Sequence, residues 1–193
     1  QVYIVGGTSA VSSAVETKLK TTTAAGGAGK AASAITRYAG SDRYTTCAMV
    51  ANAITGANVA TFNTHKTAIV VSGEGFADAV SASMLVSGPN GQATTNTHPI
   101  LLTQKDSLPT ATEVALQNLG VKQVVIIGGT GAVSAAVETT LKGSYAVTRI
   151  SGADRYATAA AVADLAVKGI AAGGFGMNKR EVYFAEMGPA SGG

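Results

Sequence analysis

One hydrophobic pattern occurs twice in this chain: four unbroken apolar residues, a Gly-Gly pair, then apolar positions four apart. It reads Val124-Val-Ile-Ile-Gly-Gly-Thr-Gly-Ala-Val-Ser-Ala-Ala-Val-Glu-Thr-Thr-Leu-Lys142 in one copy and Val2-Tyr-Ile-Val-Gly-Gly-Thr-Ser-Ala-Val-Ser-Ser-Ala-Val-Glu-Thr-Lys-Leu-Lys20 in the other. An unbroken apolar run suits a strand covered on both faces. Val133, Val137 and Leu141 fall on one helix face. Each copy therefore predicts strand, tight turn, helix: half of a βαβ unit. The repetition predicts an α/β protein built from repeated three-layer, Rossmann-like modules with a parallel sheet.

The remaining pattern fills in the unit. Ala34–Tyr38 predicts a strand, and Gly40-Ser-Asp-Arg-Tyr44 opens a helix running through Met49 to Ile54, with Asp42 placed to cap it. Thr148-Arg-Ile-Ser-Gly-Ala-Asp-Arg-Tyr156 repeats this segment in the same order. The linker before the first copy, Thr21–Ser33, is longer, as a surface insertion would make it. Thr55–Lys66 reads as loop. Thr67–Val71 predicts a second buried strand, ending at Ser72-Gly-Glu-Gly-Phe-Ala-Asp78, and the helix beyond it carries Phe76, Val80 and Met84 as its apolar face. Gly88–His98 reads as an exposed connection and Pro99–Thr103 as a strand. The helix opened by Asp106-Ser-Leu-Pro109 presents Ala115, Leu116 and Leu119 and stops at Gly120. Beyond the second copy, Tyr156, Ala160, Ala163 and Val167 predict a helix face and Glu181–Ala185 a strand. The tail Met187-Gly-Pro-Ala-Ser-Gly192 departs from the Gly73–Asp78 pattern. These boundaries divide the chain into a complete unit at 37–150, the second half of a preceding unit at 1–36 and the first half of a following one at 151–193.

Composition narrows the class. Hydrophobic residues make up 46% of the chain and charged residues 13%, with 24 glycines and no tryptophan. Low charge with much Ala, Gly, Ser and Thr favours an extracellular or envelope protein. A formal net charge of +3 gives mild attraction to anionic polymers and falls short of a nucleic-acid signature. Cys47 stands alone, so no internal disulfide forms, and it reads as a small core residue on a helix. No stretch is long enough for a membrane span. Gln1, directly before a buried-strand pattern, reads as an internal or processed start.

Several motifs then converge: Thr148–Ala159, Ser72–Ala79, Pro99-Ile-Leu-Leu-Thr103, Ser107-Leu-Pro109 and Ile126-Ile-Gly-Gly-Thr-Gly-Ala-Val-Ser134. In this order they resemble the type 2 cell-wall-binding repeat of Gram-positive surface proteins. The resemblance implies Rossmann-like modules, usually three, set in a ring about a pseudo-threefold axis. It implies secreted proteins, surface-layer proteins among them, held without covalent bonds on an anionic cell-wall polysaccharide. The family's anchoring depends on an Ile-Leu-Leu segment, matched here by Ile100, Leu101 and Leu102. The chain departs from the family in holding one complete repeat and two halves.

The residues themselves suggest a binding surface with no cofactor and no metal. Gly128, Gly129 and Thr130 either cradle an anion on helix-terminal amides or simply allow a tight turn. Arg43 and Arg155 either grip polymer anions or fix one repeat against the next, and Arg37 and Arg149 are read as structural salt bridges in the same way. Asp78 and Glu74 lie at a strand's C-terminal end, where α/β sheets place ligands, and would orient sugar hydroxyls or cap a helix. Ile100–Thr103 is a core strand or a contact. His65 and His98 lack neighbours at metal-ligand spacing, and Ser72 lacks a nucleophile elbow. The expectation is a non-catalytic polymer-binding module whose partners are the wall polysaccharide and other repeats of its type. Its rivals are a phosphate-binding enzyme on sugar phosphates or nucleotides, and a self-assembling surface module.

Overall fold

The unbroken apolar runs become the centre of a parallel sheet. The computed structural model describes residues 2–21, 35–53, 58–86, 97–168 and 173–176. In chain order they form β1 (Val2–Val5), α1 (Ser13–Thr21), β2 (Ile35–Tyr38), α2 (Arg43–Asn52), β3 (Thr61–Phe62) and β4 (His65–Ser72). Next come α3 (Ala77–Ala82), a 3-10 turn (Ser83–Leu85), β5 (Ile100–Thr103), α4 (Thr110–Asn118), β6 (Gln123–Ile127), α5 (Ala135–Lys142), β7 (Ala146–Ile150) and α6 (Arg155–Val167).

In the larger sheet β5, β4, β6 and β7 run parallel in that spatial order, and β3 pairs antiparallel with the start of β4. The strands leave β4 in opposite directions, to β5 on one side and to β6 and β7 on the other. The gap between the ends of β4 and β6 is therefore a topological switch point. Alternating residues face opposite layers. Ala68, Val70, Val124 and Ile126 join α2, α4 and α5 in one core, while Ile69, Val71, Val125 and Ile127 join α3 and α6 in the other. This is the expected three-layer architecture. A smaller parallel sheet pairs β1 with β2 in the register of β6 with β7: Ile4 lies opposite Arg37 as Ile126 lies opposite Arg149.

The duplication extends to individual bonds. Arg149 donates from Nη1 to the Gly128 carbonyl (2.7 Å) and from Nε to Glu138 (2.8 Å); Arg37 does the same to Gly6 (2.7 Å) and Glu16 (2.9 Å). Lys142 and Lys20 complete the two ion-pair sets. Asp42 and Asp154 accept from the Thr45 and Ala157 amides, so each caps its helix. Gly120 ends its helix turn at φ +64°.

Four expectations need correction. Thr55–Lys66 is not all loop: Thr61–Phe62 and His65–Lys66 form a hairpin through Asn63 and Thr64, both at positive φ. His98 is fully buried, with its ring edge against Phe175, and His65 opens β4. On α3, Phe76, Val80 and Met84 face outward and Ser81, Ala82 and Leu85 inward, because this short segment enters the core from the other side. On α6 the buried residues are Thr158, Val162, Leu165 and Ala166, leaving Tyr156 and Ala160 outside. The strand expected at Glu181–Ala185, the tail beyond it and nearly all of the two linkers at Thr21–Ser33 and Gly88–His98 lie outside the described residues. No described helix is long and apolar enough to cross a membrane.

Candidate functional site

At the C-terminal ends of β4, β6 and β7 the loops part around a cleft of about 480 Å³. Ser72, Glu74 and Asp78 line it from the β4 side, Gly129 and Gly131 from the Gly-Gly turn, and Gly152–Arg155 with Thr158 from the start of α6. It lies over the switch point between β4 and β6, where open α/β sheets bind ligands.

Each wall has a local cause. Gly128 sits at φ +114°, and a Cβ there would come 2.5 Å from Asp78 Oδ2, so the missing side chain makes room for a carboxylate of the protein itself. Gly129 has nothing within 4 Å of where its Cβ would be. On the third wall Thr158 accepts the Gly152 amide (3.0 Å), folding that loop onto α6. Glu74 accepts from the Lys105 amide (3.0 Å) and ties the β4 loop to the loop after β5.

Two side chains remain for chemistry. Asp78 is half-buried, and desolvation raises its pKa above the usual carboxylate value while the charge of Arg155 opposes the rise. The two attract across the cleft without forming an ion pair, and no described residue donates a hydrogen bond to Asp78. The cleft thus presents a half-buried carboxylate, without a hydrogen-bond donor among the described residues, opposite an exposed guanidinium. Among the described residues there is no group of three or more His, Cys, Asp or Glu that could hold a metal ion.

The structure brings only part of the expected site residues together. Asp78, Gly129 and Arg155 line the cleft, with Gly128 directly beneath Asp78. Thr130 is exposed and outside it. Arg43 donates instead to the Gly73 carbonyl (2.6 Å), joining α2 to the end of β4. Arg37 and Arg149 are held in the ion pairs described above. Ile100, Leu101, Leu102 and Thr103 form β5 and do not reach the cleft. Leu101 and Thr103 are wholly buried, and Ile100 and Leu102 lean on the second core. The Thr103 hydroxyl is used on the Gln104 and Ser107 carbonyls. The outward carbonyls of β5 are covered by side chains: Cys47 donates to Ile100 (3.2 Å) and Thr112 to Leu102 (2.5 Å). Burial accordingly raises the Cys47 pKa. Sequence reasoning does not mark Ser72 and Thr158 as cleft residues: Ser72 precedes Gly73, but Thr158 stands between two alanines inside a helix.

Comparison with known proteins places this geometry among relatives. The family described as "Cell wall binding domain 2 (CWB2)" matches residues 37–138, over half the chain. N-acetylmuramoyl-L-alanine amidase LytC of Bacillus subtilis (strain 168) is 38% identical over 159 residues, 82% of this chain and 27% of its own length. The Amidase enhancer of the same organism is 33% identical over 155 residues, 80% of this chain and 17% of its own length. Among solved structures, Cwp8 from Clostridium difficile superposes with a TM-score of 0.61 at 33% identity, covering 83% of this chain and 23% of that one. Cwp6 from the same species gives 0.53 at 32%, covering 66% and 18%. The chain spans about a quarter or less of each relative's length.

Proposed function

The chain belongs to the cell wall binding domain 2 family, and from that premise we propose that it anchors a secreted protein at the cell wall by gripping an anionic wall polysaccharide without transforming it. The observation that carries this reading is the coincidence of the family match with the cleft: residues 37–138 include its walls from Ser72 to Ala132. The named amidase is matched over only 27% of its length, so its chemistry is not transferred to this chain.

The cleft suits a sugar with an anionic linkage. Asp78 lacks a donor, and vicinal sugar hydroxyls supply two. Arg155 offers a forked pair of donors to a phosphate or carboxylate. Gly129 and Gly131 line the cleft without side chains and let a ligand approach the backbone closely. Such contacts are weak one by one, and affinity accumulates when several repeats engage the same polymer. Ile100–Thr103 serves this reading as scaffold: β5 carries the loop at Lys105 that Glu74 holds.

Co-sedimentation with purified cell walls, before and after removal of their anionic polymers, tests the proposal. Binding should be lost on stripped walls and should weaken as salt rises, because exposed charges are screened. Undiminished binding to stripped walls would overturn it.

A further inference from the structure

Phe76 is the most exposed large apolar side chain among the described residues, at 61%. Phe62 and Phe175, by contrast, are 6% and 2% exposed and stack on each other in the second core. Phe76 stands at the rim of the cleft: Gly75 before it and Ala77 after it both line the wall.

The fold itself does not call for an aromatic here. Phe76 is the N-cap of α3 and makes no side-chain capping bond. Ser, Thr, Asp or Asn would stabilise the helix at that position, and α2 and α6 have Asp42 and Asp154 there. Its neighbour Gly75 has no positive φ and nothing within 4 Å of where a Cβ would stand. Neither backbone conformation nor crowding requires that glycine, and it leaves open floor beside the ring. The backbone under the ring is also fixed. The Gly73 amide donates to the Thr103 carbonyl (2.8 Å), and the Gly73 carbonyl accepts from Arg43 (2.6 Å). Ser72 Oγ accepts the Glu74 amide (3.1 Å), the Glu74 carboxylate accepts the Lys105 amide (3.0 Å), and the Phe76 carbonyl accepts the Val80 amide (2.9 Å). An aromatic held in place beforehand loses little freedom when a ligand covers it.

We propose that Phe76 is a stacking platform at the cleft rim for a pyranose ring of the wall polysaccharide. The face of an aromatic ring is electron-rich and attracts the polarised C–H groups on the apolar face of a sugar. An open-chain polyol phosphate has no such face. Asp78 lies two residues on, with under about 8 Å between the Cα atoms, so the same sugar can stack on Phe76 and donate its hydroxyls to Asp78. This inference rests on the polymer reading above and adds the class of sugar unit and the residue that selects it. Val80 and Met84 continue the outward stripe of α3. A protein docked on that stripe would need all three side chains, whereas a sugar ring needs only the aromatic one.

The chain has no tryptophan, so Phe76→Trp places a single reporter at the rim. Its emission should shift to shorter wavelength when polymer released from cell walls by acid is added, as the ring leaves water. Poly(glycerol phosphate) at equal phosphate concentration should leave it unmoved. In co-sedimentation with intact walls, Phe76→Ala should weaken binding about 3- to 10-fold, the scale of one aromatic contact, at an unchanged thermal midpoint. Phe76→Trp should restore binding, and Val80→Ser should bind like the native chain. Native-like binding by Phe76→Ala would overturn the stacking proposal and leave the anchoring reading standing; walls that fail to retain the native chain would overturn both. An equal loss from Val80→Ser, an equal emission shift with poly(glycerol phosphate), or a loss that only tracks a lowered thermal midpoint would also overturn the stacking proposal.

Discussion

Gly128 and His98 show how single residues set the limits of this fold. Gly128 combines a positive φ with the pressure of Asp78, so Gly128→Ala should destabilise the chain by about 1–3 kcal/mol. Gly129→Ala meets open space and should be nearly neutral, as denaturant midpoints would reveal. Should Gly129→Ala abolish wall binding while the fold stands, the turn touches polymer. His98 donates from Nδ1 to the Thr67 carbonyl (3.2 Å), and burial pushes its pKa down to about 4. The unfolded chain therefore takes up a proton near pH 6.5 that the folded chain refuses until about pH 4. Stability should be full above pH 6.5 and fall by up to roughly 3 kcal/mol toward pH 4. Thermal midpoints across that range would test this, and His98→Gln should flatten the profile. Glu16 and Glu138 add a slope of the same sign at lower pH, below the ordinary carboxylate value of 4.5: their Lys and Arg partners lower both pKa values, so their ion pairs weaken as acid protonates the carboxylates.

Elements whose two faces differ in use were the ones the sequence hid. Strands β4 and β6 were legible because a parallel central strand is apolar at every position, and α4 because one face meets one core. The inward face of α3 was not, since Phe76, Val80 and Met84 form an equally apolar stripe that points out. On α6 the expected face, Tyr156, Ala160 and Ala163, corresponds to Tyr44, Ala48 and Ala51 of α2, where Ala48 and Ala51 are buried in the first core. Both helices thus carry two usable faces, and periodicity alone does not say which is covered. The cleft was half legible: Asp78 and Arg155 stood out by charge, while Ser72 and Thr158 are ordinary residues made local by loop geometry. Strand β5 offers a test of scaffold against contact. Leu101→Ala should cost about 2–5 kcal/mol, and wall binding should fall only as the folded fraction falls, measured by circular dichroism beside co-sedimentation. Binding lost from a fully folded variant would make the segment a direct contact.

At the level of the whole molecule, charge and shape divide the labour. The net charge of +3 attracts a polyanion only weakly, and four of the cations, Lys20, Arg37, Lys142 and Arg149, are committed to Glu16 and Glu138. On the proposed reading, specificity comes from placed groups more than from the general field. Asp78→Asn, which keeps an acceptor but removes the charge, should weaken wall binding less than Asp78→Ala, and Arg155→Met should flatten its salt dependence; titrated co-sedimentation would separate the two. The joint at α2 bears on how such an anchor would hold. This helix follows β2 in the chain yet lies on β5 and α4, with Arg43 fastened to the Gly73 carbonyl. Tension entering at β2 therefore meets a side-on grip spread along a helix rather than a row of bonds opened one after another, and that geometry resists tearing while leaving slow, unloaded release possible.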